Sequence, residues 1–178
     1  MLAINSLVAV YQKQSEAEAG LHDLQQDAFD LKKLSILSRE HETGDQVIGY
    51  YSTGGHLRYW GARGGFWNGS WKLLSCAGCF VVPDLGVVLV AGPLTVWIVS
   101  TLNDASENRL SAVGAGFLHI GIPMADIFRY EAALKMHKLL LVAHGTPQEL
   151  FKARDELHKS RPEEMSIHFA DQNTKLAA

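Results

Sequence analysis

Cysteine is nearly absent: Cys76 and Cys79 are the only two in 178 residues. Three positions apart, they cannot build a disulfide framework, which points to a reducing compartment, the cytoplasm. Basic excess is also missing. Lys and Arg number 16 against 19 Asp and Glu, a formal charge of -3, so no nucleic-acid partner is expected. No phosphate loop, dinucleotide fingerprint, serine elbow or zinc-protease signature occurs, and the expected strands lack the exposed aromatics of RNA-binding sheets. The opening "MLAINSLVAVYQKQ" has neither a basic leader region nor a small-residue cleavage site, and reads as a strand rather than a secretory leader. What remains is one domain, or one domain with a large insertion, big enough for a core without disulfides or metals.

The two ends of the chain share a grammar. Leu2–Tyr11 is apolar on both faces, as a central strand is. Ala17, Leu21, Leu24 and Ala28 follow at helical spacing behind Ser15 as N-cap, and "LKKLSILSRE" alternates as a half-buried strand. Near the other end, His137–His144 is a dense aliphatic strand. Thr146, Pro147 and Glu149 have the order of a helix start, Leu150, Phe151, Ala153 and Leu157 give that helix an apolar side, and "EEMSIHFAD" closes with a strand. Two β-α-β units predict an α+β fold, a ferredoxin-like sandwich. Residues 1–40 and 137–170 form its halves, 41–136 a mainly helical, glycine-containing apolar insertion, and 171–178 a tail.

The insertion carries the unusual chemistry. From Ser75 to Val99 the one charge is Asp84. A helical hairpin is expected here, turning at Pro83, Asp84 and Gly86, with Pro93 bending its second helix. Gly61, Gly65 and Gly69 recur at spacing four, and Ala112 and Gly116 repeat the step. Small residues in register let helices approach closely. These five, with Val88 and Val96, are the expected oligomer interface, and the chain itself is the expected partner. A hairpin inserted in a bilayer is the second reading. Both ends of the insertion must then emerge on one side, and Lys72 in lipid is expensive.

"PDLGVVLVAGPL" and "GIPMADIFRYEAALKMHKLLLVAH" resemble a family of small bacterial general-stress proteins, heat-induced or low-temperature-induced. The resemblance rests on Pro83–Gly86, Ala91–Pro93, Gly121–Pro123, the pair Tyr130–Glu131 and the aliphatic strand Leu139–Val142. It implies a stress-associated, scaffold-like or regulatory role and contributes no catalytic residues.

Individual candidates for chemistry read as structural. Cys76-Ala-Gly-Cys79 lies in an apolar stretch and supplies half of a zinc tetrahedron, so small residues at a helix interface are expected, with a thiolate site shared across a two-fold axis as the alternative. Asp155 and His158 have ligand spacing but sit on a charged helix face. His137 and His144 fall on opposite faces of their strand, and His119 reads as a packed interface histidine. Tyr130 and Glu131 read as helix anchors. No catalytic residue, metal or cofactor is expected, and the chain reads as non-catalytic.

Overall fold

In a computed structural model the described residues are 4–39, 51–52, 56–57, 74, 77–101 and 110–170. The strands are β1 (Asn5–Tyr11), β2 (Leu34–Arg39), β3 (Tyr51–Ser52), β4 (His56–Leu57), β5 (Ala77–Val82), β6 (Gly86–Ala91), β7 (Leu139–Gly145) and β8 (Glu164–His168). The helices are α1 (Gln14–Gln26), α2 (Leu94–Ser100), α3 (Ala112–His119), α4 (Met124–Lys135) and α5 (Pro147–Leu157). The protein is α+β, with one antiparallel sheet of six strands in the order β5-β6-β2-β7-β1-β8. Strands β3 and β4 form a separate two-stranded ribbon.

Strands β1 and β7 are adjacent through seven paired residues, Asn5 with Gly145 to Tyr11 with Leu139. Both are buried on both faces, as their aliphatic density requires of central strands. One face of the sheet packs under α1 and α5. Leu7, Ala9, Tyr11, Ile36, Leu139 and Leu141 meet Leu21 and Leu24 of α1 and Leu150 and Leu157 of α5. The start of α5 is a complete capping box: the Glu149 amide donates to Thr146 Oγ1, and the Thr146 amide donates back to the Glu149 side chain. Helix α1 begins at Gln14 after Lys13, without a side-chain cap, so Ser15 lies inside the helix rather than capping it.

The other face is covered by α2, α3 and α4. Val8, Val10, Leu37, Val88, Val90, Leu140 and Val142 meet Leu94 and Ile98 of α2, Phe117 of α3, and Ile127, Tyr130 and Leu134 of α4. The sheet is therefore the middle of three layers.

The middle of the chain differs from expectation. Its apolar hairpin is a β-hairpin, not a helical one. Strands β5 and β6 pair from Ala77–Ala91 to Val82–Gly86, and β6 continues onto β2. Val81, Val82, Val87, Val88 and Val90 are β-branched, stiff in a helix and well suited to a pleated surface. The turn falls where the sequence placed it. Leu85 N donates to Val82 O, with Pro83 at the second position and Asp84 at φ 63° in the third, a backbone that Asp tolerates. Pro93 does not bend a helix. It precedes the first residue of α2 at φ -63°, where its ring suits a helix start. Gly92 is needed just before it: at φ 102°, a Cβ here would lie 2.2 Å from Leu34 O. Among the described residues no helix is long and apolar enough to cross a membrane, and residues 77–99 of the apolar stretch, which a bilayer hairpin would need as helices, lie in the β5–β6 hairpin and the seven-residue α2.

Candidate functional site

Among the described residues, a polar cluster links α4 to the edge strand β8 through side chains. Helix α4 turns Ile127, Tyr130 and Leu134 inward, and this brings the Tyr130 hydroxyl 2.8 Å from His168 Nε2. His168 is almost fully buried. Its Nδ1 lies 3.6 Å from Asp126 Oδ2, one turn before Tyr130. Arg129 then ties both elements together, 2.7 Å from Asp126 and 3.0 Å from Glu164, with its guanidinium donating to Ser166 Oγ at 3.4 Å and lying 5.3 Å from the Tyr130 ring centroid.

Burial pushes the His168 pKa below its usual value, against the raising effect of the Asp126 carboxylate. A neutral imidazole fits the geometry: Nε2 accepts from the Tyr130 hydroxyl while Nδ1–H faces Asp126. Burial also raises the Tyr130 pKa, so its phenol stays protonated. Tyr130, His168 and Asp126 thus form a buried proton-ordered string whose geometry is that of a clasp between helix and strand. Glu131, the other half of the conspicuous pair, accepts from Ser111 Oγ. Ser111 in turn caps α3 by accepting from Gly114 N at 2.8 Å. Both members of the pair make the helix-anchoring bonds expected of them, one to β8 and one to α3.

The register extends this polar strip across the sheet. Ser6 pairs with His144 on one side and His168 on the other, so three polar side chains share one row and one face. Ser6 Oγ and His144 Nδ1 are buried with no hydrogen bond among the described residues. Trp97 of α2 meets the His144 ring edge-on at 4.8 Å, and burial lowers the His144 pKa to about 4, with Lys33 adding to the effect. Sequence reasoning missed Ser6, Asp126, Arg129 and His168. The signal that finds them is the register: once β1 is placed between β7 and β8, the polar positions of all three align.

The residues expected from sequence are scattered. Val88 is fully buried in this chain's own core and Val96 is 55% exposed on α2. Gly116 does permit a close approach, but to α2 of the same chain: a Cβ there would lie 2.5 Å from Ile98 Cγ1. Ala112 begins the same helix α3. Pro83, Asp84 and Gly86 form the β5–β6 turn, with Gly86 at φ 84°. Cys79 is buried in β5, a strand and not the helix expected. Gly61, Gly65, Gly69 and Cys76 lie outside the described residues. His119 ends α3, half-buried. Asp155 bonds Arg154 at the surface. Among the described residues no group of three or more His, Cys, Asp or Glu is placed to hold a metal ion.

Fold and cluster together define an α+β protein with a helix-covered antiparallel sheet and a buried Tyr-His-Asp clasp. Comparison with protein-family models, curated proteins and solved structures finds no match.

Proposed function

We propose that this chain is a non-catalytic, self-assembling cytoplasmic protein, scaffold-like or regulatory, whose subunits meet through the outer face of α4. The observation that supports it is that α4 carries an apolar row on its outer face as well as on its buried one. Its inner face is buried in the core. Its outer face presents Met124, 42% exposed, and Phe128, 58% exposed, with Met136, 68% exposed, just past the last turn. Ala125 and Ala132 are exposed among them. The charged Arg129 and Lys135 stand beside them, and large apolar side chains exposed together on a surface mark an interaction site. The role in stress rests on the resemblance to the general-stress family. The ferredoxin-like reading of the terminal halves is supported by the order β8-β1-β7-β2 with α1 and α5 on one face.

The test is the mass of detergent-free protein in solution. Wild type is expected as a multimer. Met124→Glu with Phe128→Glu is expected to give folded monomers, with the circular dichroism of wild type. Wild type that stays monomeric on concentration, or a variant that keeps the full assembly, would overturn the reading.

A further inference from the structure

We infer that α4 pairs antiparallel with α4 of a second copy about a two-fold axis, each Phe128 lying against the other copy's Ala132. The inference rests on the self-assembly reading and names the geometry of that contact. Met124, Phe128, Ala132 and Met136 stand four apart, and on a helix such a row is one of the ridges that pack into a neighbour's grooves. Its midpoint falls at residue 130, between a large side chain and a small one.

A two-fold contact requires that if residue i meets residue j, then j meets i. Antiparallel pairing centred on the midpoint sets Phe128 into the space over Ala132 twice, and Met124 against Met136 twice. Parallel pairing sets Phe128 on Phe128 and leaves a gap at Ala132.

Charge selects the same direction. Asp126 lies in the first turn of α4 and Lys135 in the last. Antiparallel pairing brings each Lys135 toward Asp126 of the other helix, where parallel pairing would set like charges together, and it sets the two helix dipoles antiparallel. The charges also favour a second copy over an anionic lipid surface. Arg129 is held by Asp126 and Glu164. Among the described residues, Lys135 and Arg39, whose guanidinium donates to Lys135 O at 3.2 Å, are the other cations at this helix, short of the polybasic cluster that anionic lipid recognises.

The experiment uses the full chain carrying Phe128→Cys in one preparation and Ala132→Cys in another, differently tagged, with wild type showing the background from its native cysteines. A short bis-maleimide should give a species of twice the subunit mass in the mixture and little in either preparation alone. Met124→Cys mixed with Met136→Cys repeats the test with Phe128 left in place. Self-linking of Ala132→Cys as strong as the mixed pair means parallel helices and overturns the inference. Absence of both mixed products in a wild-type multimer overturns the register while self-assembly stands. A monomeric wild type removes self-assembly itself. Wild type that floats with phosphatidylcholine–phosphatidylglycerol vesicles, and loses this with Phe128→Glu, assigns the face to lipid and overturns the inference.

Discussion

The two faces of the sheet are covered differently. On one side α1 and α5 are amphipathic: Ala17, Leu21, Leu24, Leu150, Ala153 and Leu157 go in, and Gln25, Gln26, Gln148, Lys152 and Asp155 go out. The exposed Phe151 on that side has company, with Phe169 at 5.9 Å and the Arg154 guanidinium 5.3 Å from its ring. On the other side α2, α3 and α4 come from the middle of the chain, and α4 keeps apolar residues on its outer surface as well. A buried tyrosine marks each side. Tyr11 points from the sheet toward the helices and bonds Ser160 at 2.9 Å. Tyr130 points from a helix toward the sheet and bonds His168. The first side has the finished surface of a helix layer, whereas the second leaves apolar area that a further layer would cover.

The largest effect should come from putting a charge into the second side. Val90→Asp places a carboxylate opposite Leu37 and Gly78, inside a cluster of apolar side chains. An unpaired buried ion costs several kcal/mol, about 3–5 or more, against a total stability on the order of 5–15 kcal/mol. Val96→Asp, at an exposed site on α2, should change folding stability by about 0.5 kcal/mol or less. Urea unfolding of both variants checks the pair. Equal effects would mean that the β-hairpin is not part of the core.

This contrast also marks what the sequence made legible. The terminal units could be read because each had a second signal beside hydrophobicity: helical spacing in α1 and alternation in β2, the Thr146–Pro147–Glu149 start in α5. Helices α3 and α4 could be read from their periodicity. The stretch 77–99 could not, because a short apolar run fits a strand or a buried helix segment equally well. Its β-branched residues were the better guide, and Pro93 marked a helix start. The burial of that stretch was also out of reach of a local reading. It depends on β6 pairing with β2 about fifty residues away, and it removes most of the apolar surface that seemed to need lipid or a second subunit. The clasp stayed hidden for the same reason: His168 and Tyr130 are 38 positions apart.

The two tyrosines allow a finer comparison. Tyr130→Phe leaves His168 Nε2 buried without its hydrogen bond, which costs about 1–3 kcal/mol. Tyr11→Phe costs less, about 0.5–1.5 kcal/mol, because Ser160 still donates to Leu157 O at 2.8 Å. Thermal denaturation of both variants ranks them. The reverse order would mean that the clasp holds little of the fold.

Acid should separate the two sides by window. His144 and His168 both have folded pKa values below the usual histidine value, so their neutral forms stabilise the fold above about pH 6.5. As pH falls the unfolded chain takes up protons that the folded chain resists, and stability drops, for His144 down to about pH 4. Glu149, on the α1–α5 side, is held down to about 2, first by its hydrogen bond from Lys33 and then by the Thr146 amide. Its contribution is present above about pH 4.5 and is lost only toward pH 2. Hydrogen exchange at pH 5 should therefore show α4 and β8 opening more than at pH 7, with α5 little changed. Equal loosening of α5 at pH 5 would contradict the assignment.

The smallest effect belongs to the finished side. Thr146→Ala removes the side-chain oxygen that accepts the Glu149 amide at 3.3 Å and should cost about 1 kcal/mol. The loss stays partial because Glu149 can still accept from the Thr146 position's own amide, as it does at 2.8 Å, and can still meet Lys33 at 2.7 Å. That ion pair is half-exposed and worth about 0–1 kcal/mol, less in salt. The cap bond is not an ion pair, so the Thr146→Ala deficit should persist at high salt, while Lys33→Met should lose whatever effect it has. Urea titrations of both variants at low and high salt decide the matter. A Thr146→Ala deficit that vanishes with salt would mean that charge, not the capping hydroxyl, sets the start of α5.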